Sequence, residues 1–142
     1  MIKAILIDPY ARAITEVEHD DSLASIYALL HADCFDCVRI NTVGDVIYVD
    51  DEGLYRQDQF FAYDRYPNPL AGRGLVLGTG SQGESIDPTI TVEDLEDKVR
   101  WITSQDALTM ARELDRIAAE QQKLYGERVI HIPVADILES QE

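Results

Sequence analysis

The sequence predicts an α+β fold, with a mixed and largely antiparallel sheet of about five or six strands and helices packed on one of its faces. Two observations predict this class. Short β-rich segments follow one another with hairpin turns between them, and segments with clear helical periodicity are few. Strands that are neighbours in the sequence are therefore expected to pair antiparallel to each other.

The first 50 residues are predicted to form two hairpins with a short helix between them. Residues 2–7 are apolar apart from Lys3 and are followed by an Asp-Pro pair, which is typical of a buried strand, and a second strand is expected near 13–18. Ser22 is a capping residue in front of a short stretch with helical spacing of apolar residues. The second hairpin is expected over 37–50, where two β-rich stretches flank a loop that contains Gly44.

The next region, from residue 50 to residue 83, is predicted to be mostly loop. It contains one aromatic strand at 60–63, followed by a proline-rich turn and by five glycines between Gly72 and Gly83. Proline and glycine at this density favour turns over regular elements.

Two helices and a last strand complete the predicted fold. Thr91 is a capping residue for a helix that continues to about residue 102. A longer helix is expected over 105–125, and a final strand over 129–132. The apolar stripe of the first of these helices consists of Val92, Leu95, Val99 and Ile102.

The chain is predicted to be a single domain over residues 1–142. A domain of this length buries roughly two-thirds of the surface of its unfolded chain, so it needs no metal or disulfide to fold. Within the domain, residues 1–103 are expected to form the α+β core and residues 104–142 a C-terminal helix and strand extension.

The charge balance excludes several classes of partner. Asp and Glu number 27 against 12 Lys and Arg, which gives a formal net charge of −15. Direct binding to nucleic acid or to an anionic membrane is not expected, because both need a cationic face. No apolar run reaches the ~18 residues of a membrane span and no secretion signal is recognisable, so a cytoplasmic protein is expected.

The cysteines do not predict a metal centre. Cys34 and Cys37 lie close to His31, but structural zinc needs four ligands, usually in two spaced pairs, and the other two histidines, His19 and His131, are remote in sequence. A cysteine nucleophile with either remote histidine as its base is a further alternative. The sequence favours small buried cysteines, no metal and no cofactor.

The glycine-rich stretch is the best candidate for a small-ligand site. Its glycines flank a β segment at 75–77, and it lacks the Gly-Lys-Ser/Thr of a phosphate loop. Glycines nevertheless permit close backbone approach, and basic and aromatic side chains lie beside them. Removal of Arg73 is expected to weaken an anionic ligand and to leave folding unchanged. The candidate ligand-binding residues are Arg65, Tyr66, Asn68, Gly72, Arg73 and Gly74.

The carboxylates offer a second candidate site, a surface for a basic partner. They are concentrated at a predicted hairpin exit and on the helix after Thr91, where turn and capping roles explain most of them one by one. Their collective charge still favours a cationic partner. The candidate partner-binding residues are Asp50, Asp51, Glu52, Asp58, Glu93, Asp94, Glu96 and Asp97.

Four stretches together resemble a family whose domain has no established function. They are residues 5–10, 48–53, 69–79 and 87–101, and the resemblance covers residues 1–102, with 69–79 as its most specific part. The family is found in phage, plasmid and other mobile-element genes. It has no established activity or catalytic residues, so the resemblance implies a genetic setting in which anti-defence and host-takeover proteins are common.

Two functions follow from these observations. The first is a non-enzymatic acidic interaction protein of a phage or mobile element that binds and inhibits a host protein with a basic surface, such as a defence or nucleic-acid-binding protein. The alternative is a binder of a small anionic ligand or nucleotide that uses the stretch from Gly72 to Gly83. An enzyme with an unrecognised site ranks last, and the sequence leaves homo-oligomer formation open.

Overall fold

A computed structural model of the protein describes residues 1–64 and 66–125 together with Leu138. The chain forms an α+β fold, as the sequence predicts. Its elements, in chain order, are β1 (Ile2–Asp8), β2 (Ala13–His19), α1 (Leu23–Leu30), β3 (Phe35–Arg39), β4 (Val46–Asp50), α2 (Gly53–Arg56), β5 (Phe60–Tyr63), β6 (Leu70–Ala71), β7 (Gly74–Thr79), β8 (Ser85–Ile86), α3 (Val92–Lys98), β9 (Val99–Ile102) and α4 (Ser104–Tyr125).

The described strands form two sheets, not the single sheet expected from the sequence. The larger sheet has the strand order β2-β1-β7-β4-β3, with β8 paired to β7, and the smaller one has the order β6-β5-β9. Every strand pairing in the described residues is antiparallel. Both predicted hairpins, β1-β2 and β3-β4, are confirmed.

Both faces of the larger sheet are covered. On one face, Leu75 and Leu77 of β7 pack with Leu30 of α1. On the other face, Val76 packs with Phe61 of the smaller sheet and with α3. Strands buried on both sides have continuous apolar sequences, as β1 does over residues 4–7 and β7 over residues 75–77. The helices therefore lie on opposite faces of this sheet and not on one face.

The smaller sheet is also buried on both sides. Phe61 and Val99 face the larger sheet, whereas Phe60 and Ile102 face α4, where they pack with Ala107 and its neighbours. Leu138 belongs to the same cluster and is buried. The fold is thus layered in the order α1, larger sheet, smaller sheet, α4. The predicted strand at 129–132 lies outside the described residues.

The helix that was expected to continue to residue 102 ends at Lys98. Thr91 caps the helix as predicted and forms a capping box with Asp94. From Val99, however, the chain turns into β9, which pairs with β5 from Phe60 to Tyr63. Because Val99 and Ile102 lie on opposite faces of the smaller sheet, each enters a different core. The predicted apolar stripe is therefore split between a helix and a strand.

The glycine-rich stretch, expected to be a loop around a β segment at 75–77, is mainly a strand. Its residues 74–79 form β7, between β1 and β4 in the larger sheet. Gly74 has an ordinary strand conformation, but a Cβ there would lie 2.9 Å from Ile47 Cγ2 and 2.9 Å from Phe61 Cζ. The glycine thus lets the two sheets approach each other.

One buried carboxylate joins the β3-β4 turn to the segment before α3. Asp45 is fully buried, and its two oxygens accept hydrogen bonds from the backbone amides of Thr89 and Ile90, both at 2.9 Å. Asn41 Nδ2 donates a third hydrogen bond to it at 2.8 Å. This network holds residues 89 and 90 in place at the entry to α3. Among residues 1–64 and 66–125, no helix is long and apolar enough to cross a membrane.

Candidate functional site

Polar residues gather at one end of the larger sheet. Because its strands are antiparallel, this end contains the end of β1, the start of β7, the end of β4 and the start of β3. Three of the four stretches that carry the family resemblance meet here, namely 5–10, 48–53 and 69–79. The feature that distinguishes this end is a chain of side-chain hydrogen bonds.

Gln57 is the centre of that chain. Its Oε1 accepts a hydrogen bond from the Tyr10 hydroxyl, and its Nε2 donates one to Asp50 Oδ2 at 3.0 Å. Asp50 Oδ1 accepts a further hydrogen bond from the backbone amide of Glu52 at 3.0 Å. Gln57 and Asp50 are both buried, so their side chains are fixed in the folded protein.

Arg56 continues the chain towards the surface. Its Nε lies 4.0 Å from Asp50 Oδ2, and its Nη1 lies 3.3 Å from Asp33 Oδ2. The Asp33 side chain is largely exposed, so this second contact contributes little to stability. The sequence reasoning missed Arg56 and Gln57, because nothing in their local sequence indicates that α2 places them beside Asp50.

Arg73 closes the other side of this polar end. Its Nε lies 3.6 Å from Asp8 Oδ1, its guanidinium carbon lies 4.5 Å from the centre of the Tyr10 ring, and its Nη1 lies 3.2 Å from His31 Nδ1. Burial raises the pKa of the Tyr10 hydroxyl above its ordinary value, and the negative charge of Asp58 raises it further. The Tyr10 hydroxyl therefore stays protonated and can donate to Gln57.

A small cleft of about 140 Å³ lies beside this network, and we call it the Tyr66 cleft. Most of its lining is apolar and comes from Val49, Leu54, Tyr66, Pro69, Leu70 and Ala71. Its polar lining consists of Asp36, Asp50, Asp51 and Asn68. Asp36 and Asp51 are exposed, whereas Asp50 is buried. The cleft thus combines apolar walls with carboxylates, and in the described residues no basic side chain lines it.

A second cleft of about 420 Å³ shares Tyr66 with the first. It lies between the smaller sheet and α4, and Asp64 and Asp97 line it together with Lys98 and Arg100. Of the carboxylates that the sequence singled out, Asp50 and Asp51 line the first cleft and Asp97 of α3 lines the second. Tyr66 is the residue that the two linings share.

The predicted partner-binding residues differ in exposure. Asp51, Glu52 and Asp58 are exposed, and so are Glu93, Asp94, Glu96 and Asp97 of α3. None of these exposed residues forms a salt bridge with another residue that the structure describes. Asp50 is the exception, because it is buried and already bonded to Gln57. The expectation that Asp50 is part of an exposed acidic surface is wrong.

The predicted ligand-binding residues do not form one anion site. Tyr66 and Asn68 line the Tyr66 cleft, while Arg65 lies outside the described residues. The Gly72 amide, in a left-handed conformation with a φ of 79°, donates its hydrogen bond to the Gln59 carbonyl at 2.8 Å. Gly74 is buried, and Arg73 already contacts Asp8, Tyr10 and His31. These contacts leave little cationic surface for an anion.

The cysteines are exposed, which corrects the expectation that they are buried. Cys37 lies on the edge strand β3 and Cys34 lies just before it, and both are free thiols. His19 is buried and 3.0 Å from Ser25 Oγ, at the opposite end of the larger sheet from Cys34, so the two do not form a nucleophile and base pair. Within the described part of the chain, no group of three or more His, Cys, Asp or Glu could hold a metal ion. His131 lies outside that part.

Residues 2–100 match the family described as "Domain of unknown function (DUF3846)". The chain belongs to this family. An uncharacterized protein of Sinorhizobium fredii (strain NBRC 101917 / NGR234), y4iR, is 34% identical over 95 residues, which cover 64% of this chain. The match spans 58% of the length of that relative. No solved structure matches the chain. The family match covers the larger sheet and the whole lining of the Tyr66 cleft, and it ends inside β9.

Proposed function

We propose that the protein is a non-enzymatic interaction protein of a phage or other mobile element that binds, and thereby inhibits, a host protein with a basic surface. The proposal places it in the host cytoplasm. A nucleic-acid-binding protein has the cationic surface that such a partner needs, and a host defence protein with a basic surface would fit the same role. The observation that carries the proposal is the set of exposed carboxylates after β4 and on α3, none of which forms a salt bridge with another described residue.

The cost of this charge supports a role in binding. Asp51 lines one cleft and Asp97 the other, and α3 carries three further exposed carboxylates within two turns. Like charges held this close destabilise the folded chain. A cationic partner would relieve the repulsion and would associate quickly through electrostatic steering.

Binding of a small anionic ligand or nucleotide has less support. The carboxylates that line the Tyr66 cleft repel anions, and Arg73 is held by Asp8 and Tyr10. At about 140 Å³ the cleft is also smaller than the roughly 300–1,000 Å³ of typical small-molecule sites. We therefore favour a protein partner.

Affinity capture with matched charge variants tests the proposal. The test variant carries Asp51→Asn, Glu96→Gln and Asp97→Asn, which remove three exposed charges, one after β4 and two from α3. The control variant carries Glu18→Gln, Asp21→Asn and Glu84→Gln, which remove three exposed charges at the opposite end of the larger sheet. Each is immobilised and exposed to a lysate of bacteria that carry the gene.

A basic host protein is expected to be retained at low salt by the wild type and the control variant, and lost from the test variant. It is also expected to elute near 1 M salt, where the Debye length is about 3 Å. Equal retention by both variants, or retention that salt does not change, would show that the acidic surface only solvates the protein.

A further inference from the structure

We propose that the Tyr66 cleft binds a single arginine side chain of the partner, an inference that rests on the proposed function and names the chemistry of its contact. The cleft combines apolar walls with a polar lining of Asp36, Asp50, Asp51 and Asn68. An arginine side chain matches both parts of the cleft. Its stem is apolar, like the walls, and its head is a cation with five donors that suits the polar lining.

The size of the cleft selects one side chain over a larger ligand. Its volume of about 140 Å³ is too small for a nucleotide but sufficient for a long side chain. The walls formed by Leu54 and Leu70 can cover the methylene stem, since both residues line the cleft. Burial of that stem adds apolar contact to the electrostatic attraction.

The polar lining favours a guanidinium group. Asp36 and Asp51 are exposed acceptors, and the side-chain oxygen of Asn68 is a further acceptor. A planar guanidinium can donate hydrogen bonds to two carboxylates and can stack on the ring of Tyr66, whereas the ammonium of lysine is a compact point charge. The cleft chemistry therefore favours arginine over lysine.

Asp50 gives the cleft a fixed negative group before any partner arrives. Its side chain is only 1% exposed, and both oxygens are oriented by hydrogen bonds from Glu52 and Gln57. Its internal cation, Arg56, stays 4.0 Å away and does not line the cleft. Because the carboxylate does not need to reorient, little ordering cost arises when a cation binds.

The test uses the full chain and short peptides that differ only in one central side chain. Three peptides of glycine, blocked at both ends, carry arginine, lysine or uncharged citrulline at the centre. Binding is followed by NMR through the amide resonances of Leu54 and Leu70 and the side-chain amide of Asn68. Leu95, the buried residue of α3, reports any shift that is not specific to the cleft.

The arginine peptide is expected to shift the cleft resonances and leave Leu95 unchanged, with weaker binding of the lysine peptide and no binding of the citrulline peptide. Asp51→Asn is expected to raise the Kd about fivefold, the upper range for one exposed ion pair. Glu96→Gln removes an equal charge from α3, outside the lining of the Tyr66 cleft, and is expected to change the Kd less than about twofold.

Equal effects of the two variants, or equal binding of arginine and lysine, would overturn the assignment of an arginine to this cleft. The salt-dependent capture of a basic protein would remain as the separate measure of the proposed function. If the arginine peptide binds in the cleft while no basic protein is captured, the proposed function fails and the cleft chemistry stands.

Discussion

The hydroxyl of Tyr10 donates a hydrogen bond to the side-chain oxygen of Gln57, a residue 47 positions further along the chain. The other end of the same amide donates to Asp50. Gln57 thus connects the segment after β1 to the end of β4, and its orientation is fixed from both sides. The Asp50 carboxylate of the Tyr66 cleft depends on this connection.

Tyr10→Phe is expected to lower the free energy of unfolding by about 0.5–1.5 kcal/mol, because Gln57 loses its donor while the ring is kept. Chemical denaturation of both proteins measures the difference. Tyr66→Phe is the control, since no side-chain hydrogen bond of the Tyr66 hydroxyl is present in the described residues. An equal loss of stability in the two variants would show that the Gln57 contact is not important for folding.

The same hydroxyl predicts how stability changes at alkaline pH. Burial, followed by the negative charge of Asp58, raises the pKa of Tyr10 in the folded protein above its ordinary value of 10.0. The folded state therefore favours the protonated form. This contribution is fully present below pH 10 and is lost as the pH rises through the folded pKa.

The wild type should therefore lose more stability above pH 10 than Tyr10→Phe does. Denaturation curves at a series of pH values measure this difference, and tyrosinate absorbance should show one late-titrating tyrosine fewer in the variant. A stability difference between the two proteins that stays constant with pH would contradict the prediction.

The sequence predicted those elements whose signals are local. The Ser22 cap and the glycine of the β3-β4 turn lie inside the elements that they define, and both hairpins are confirmed. Val99 and Ile102, by contrast, are spaced as a helix face requires but lie on two faces of a strand. Only the pairing of β9 with β5, which is distant in sequence, decides whether residues 99–102 form a helix or a strand.

The candidate site was less predictable for the same reason. Tyr66 and Asn68 were singled out from the sequence and do line a cleft. Asp36, which lines the same cleft, and Gln57, which orients Asp50, were not among the candidate residues. Their roles depend on β3, α2 and the proline-rich turn meeting at one end of the larger sheet. Asp50 shows the converse error, because a carboxylate that looks like a solvated turn residue is buried once Gln57 bonds to it.

Gly74→Val is expected to destabilise the fold by about 1–3 kcal/mol through overpacking. The added Cβ would lie 2.9 Å from both Ile47 and Phe61, which belong to facing sheets and cannot both move away easily. Gly83→Val is the control, since no atom lies within 4 Å of its added Cβ and only its φ of 83° causes strain. A larger loss of stability at Gly83 in thermal unfolding would contradict the close-packing explanation.

Asp45→Asn is expected to lower the free energy of unfolding by about 1–3 kcal/mol. Asparagine keeps one acceptor oxygen, so the amide of Thr89 or that of Ile90 loses its partner in a buried site. Hydrogen exchange should accelerate at these two amides while the β1-β2 hairpin keeps its protection. Unchanged exchange at Thr89 and Ile90 would show that the carboxylate is not what holds the entry to α3.

Arg73→Ala is expected to destabilise the folded protein by about 1–2 kcal/mol, contrary to the prediction from sequence that folding stays unchanged. Both partners of its ion pair with Asp8 are mostly buried, at 18% and 19% side-chain exposure, so solvent screens the pair less than a surface pair. The cation also stacks on Tyr10 at 4.5 Å. Arg73→Lys keeps the charge and loses the planar stacking, so its stability should fall between that of the wild type and that of Arg73→Ala.

Chemical denaturation of the three proteins measures this order of stability. Lys123→Ala is the control, because it removes an exposed cation and should change stability by less than about 0.5 kcal/mol. If Arg73→Ala is as stable as the wild type, the contacts of Arg73 do not stabilise the fold. The arginine would then be available for an anionic ligand.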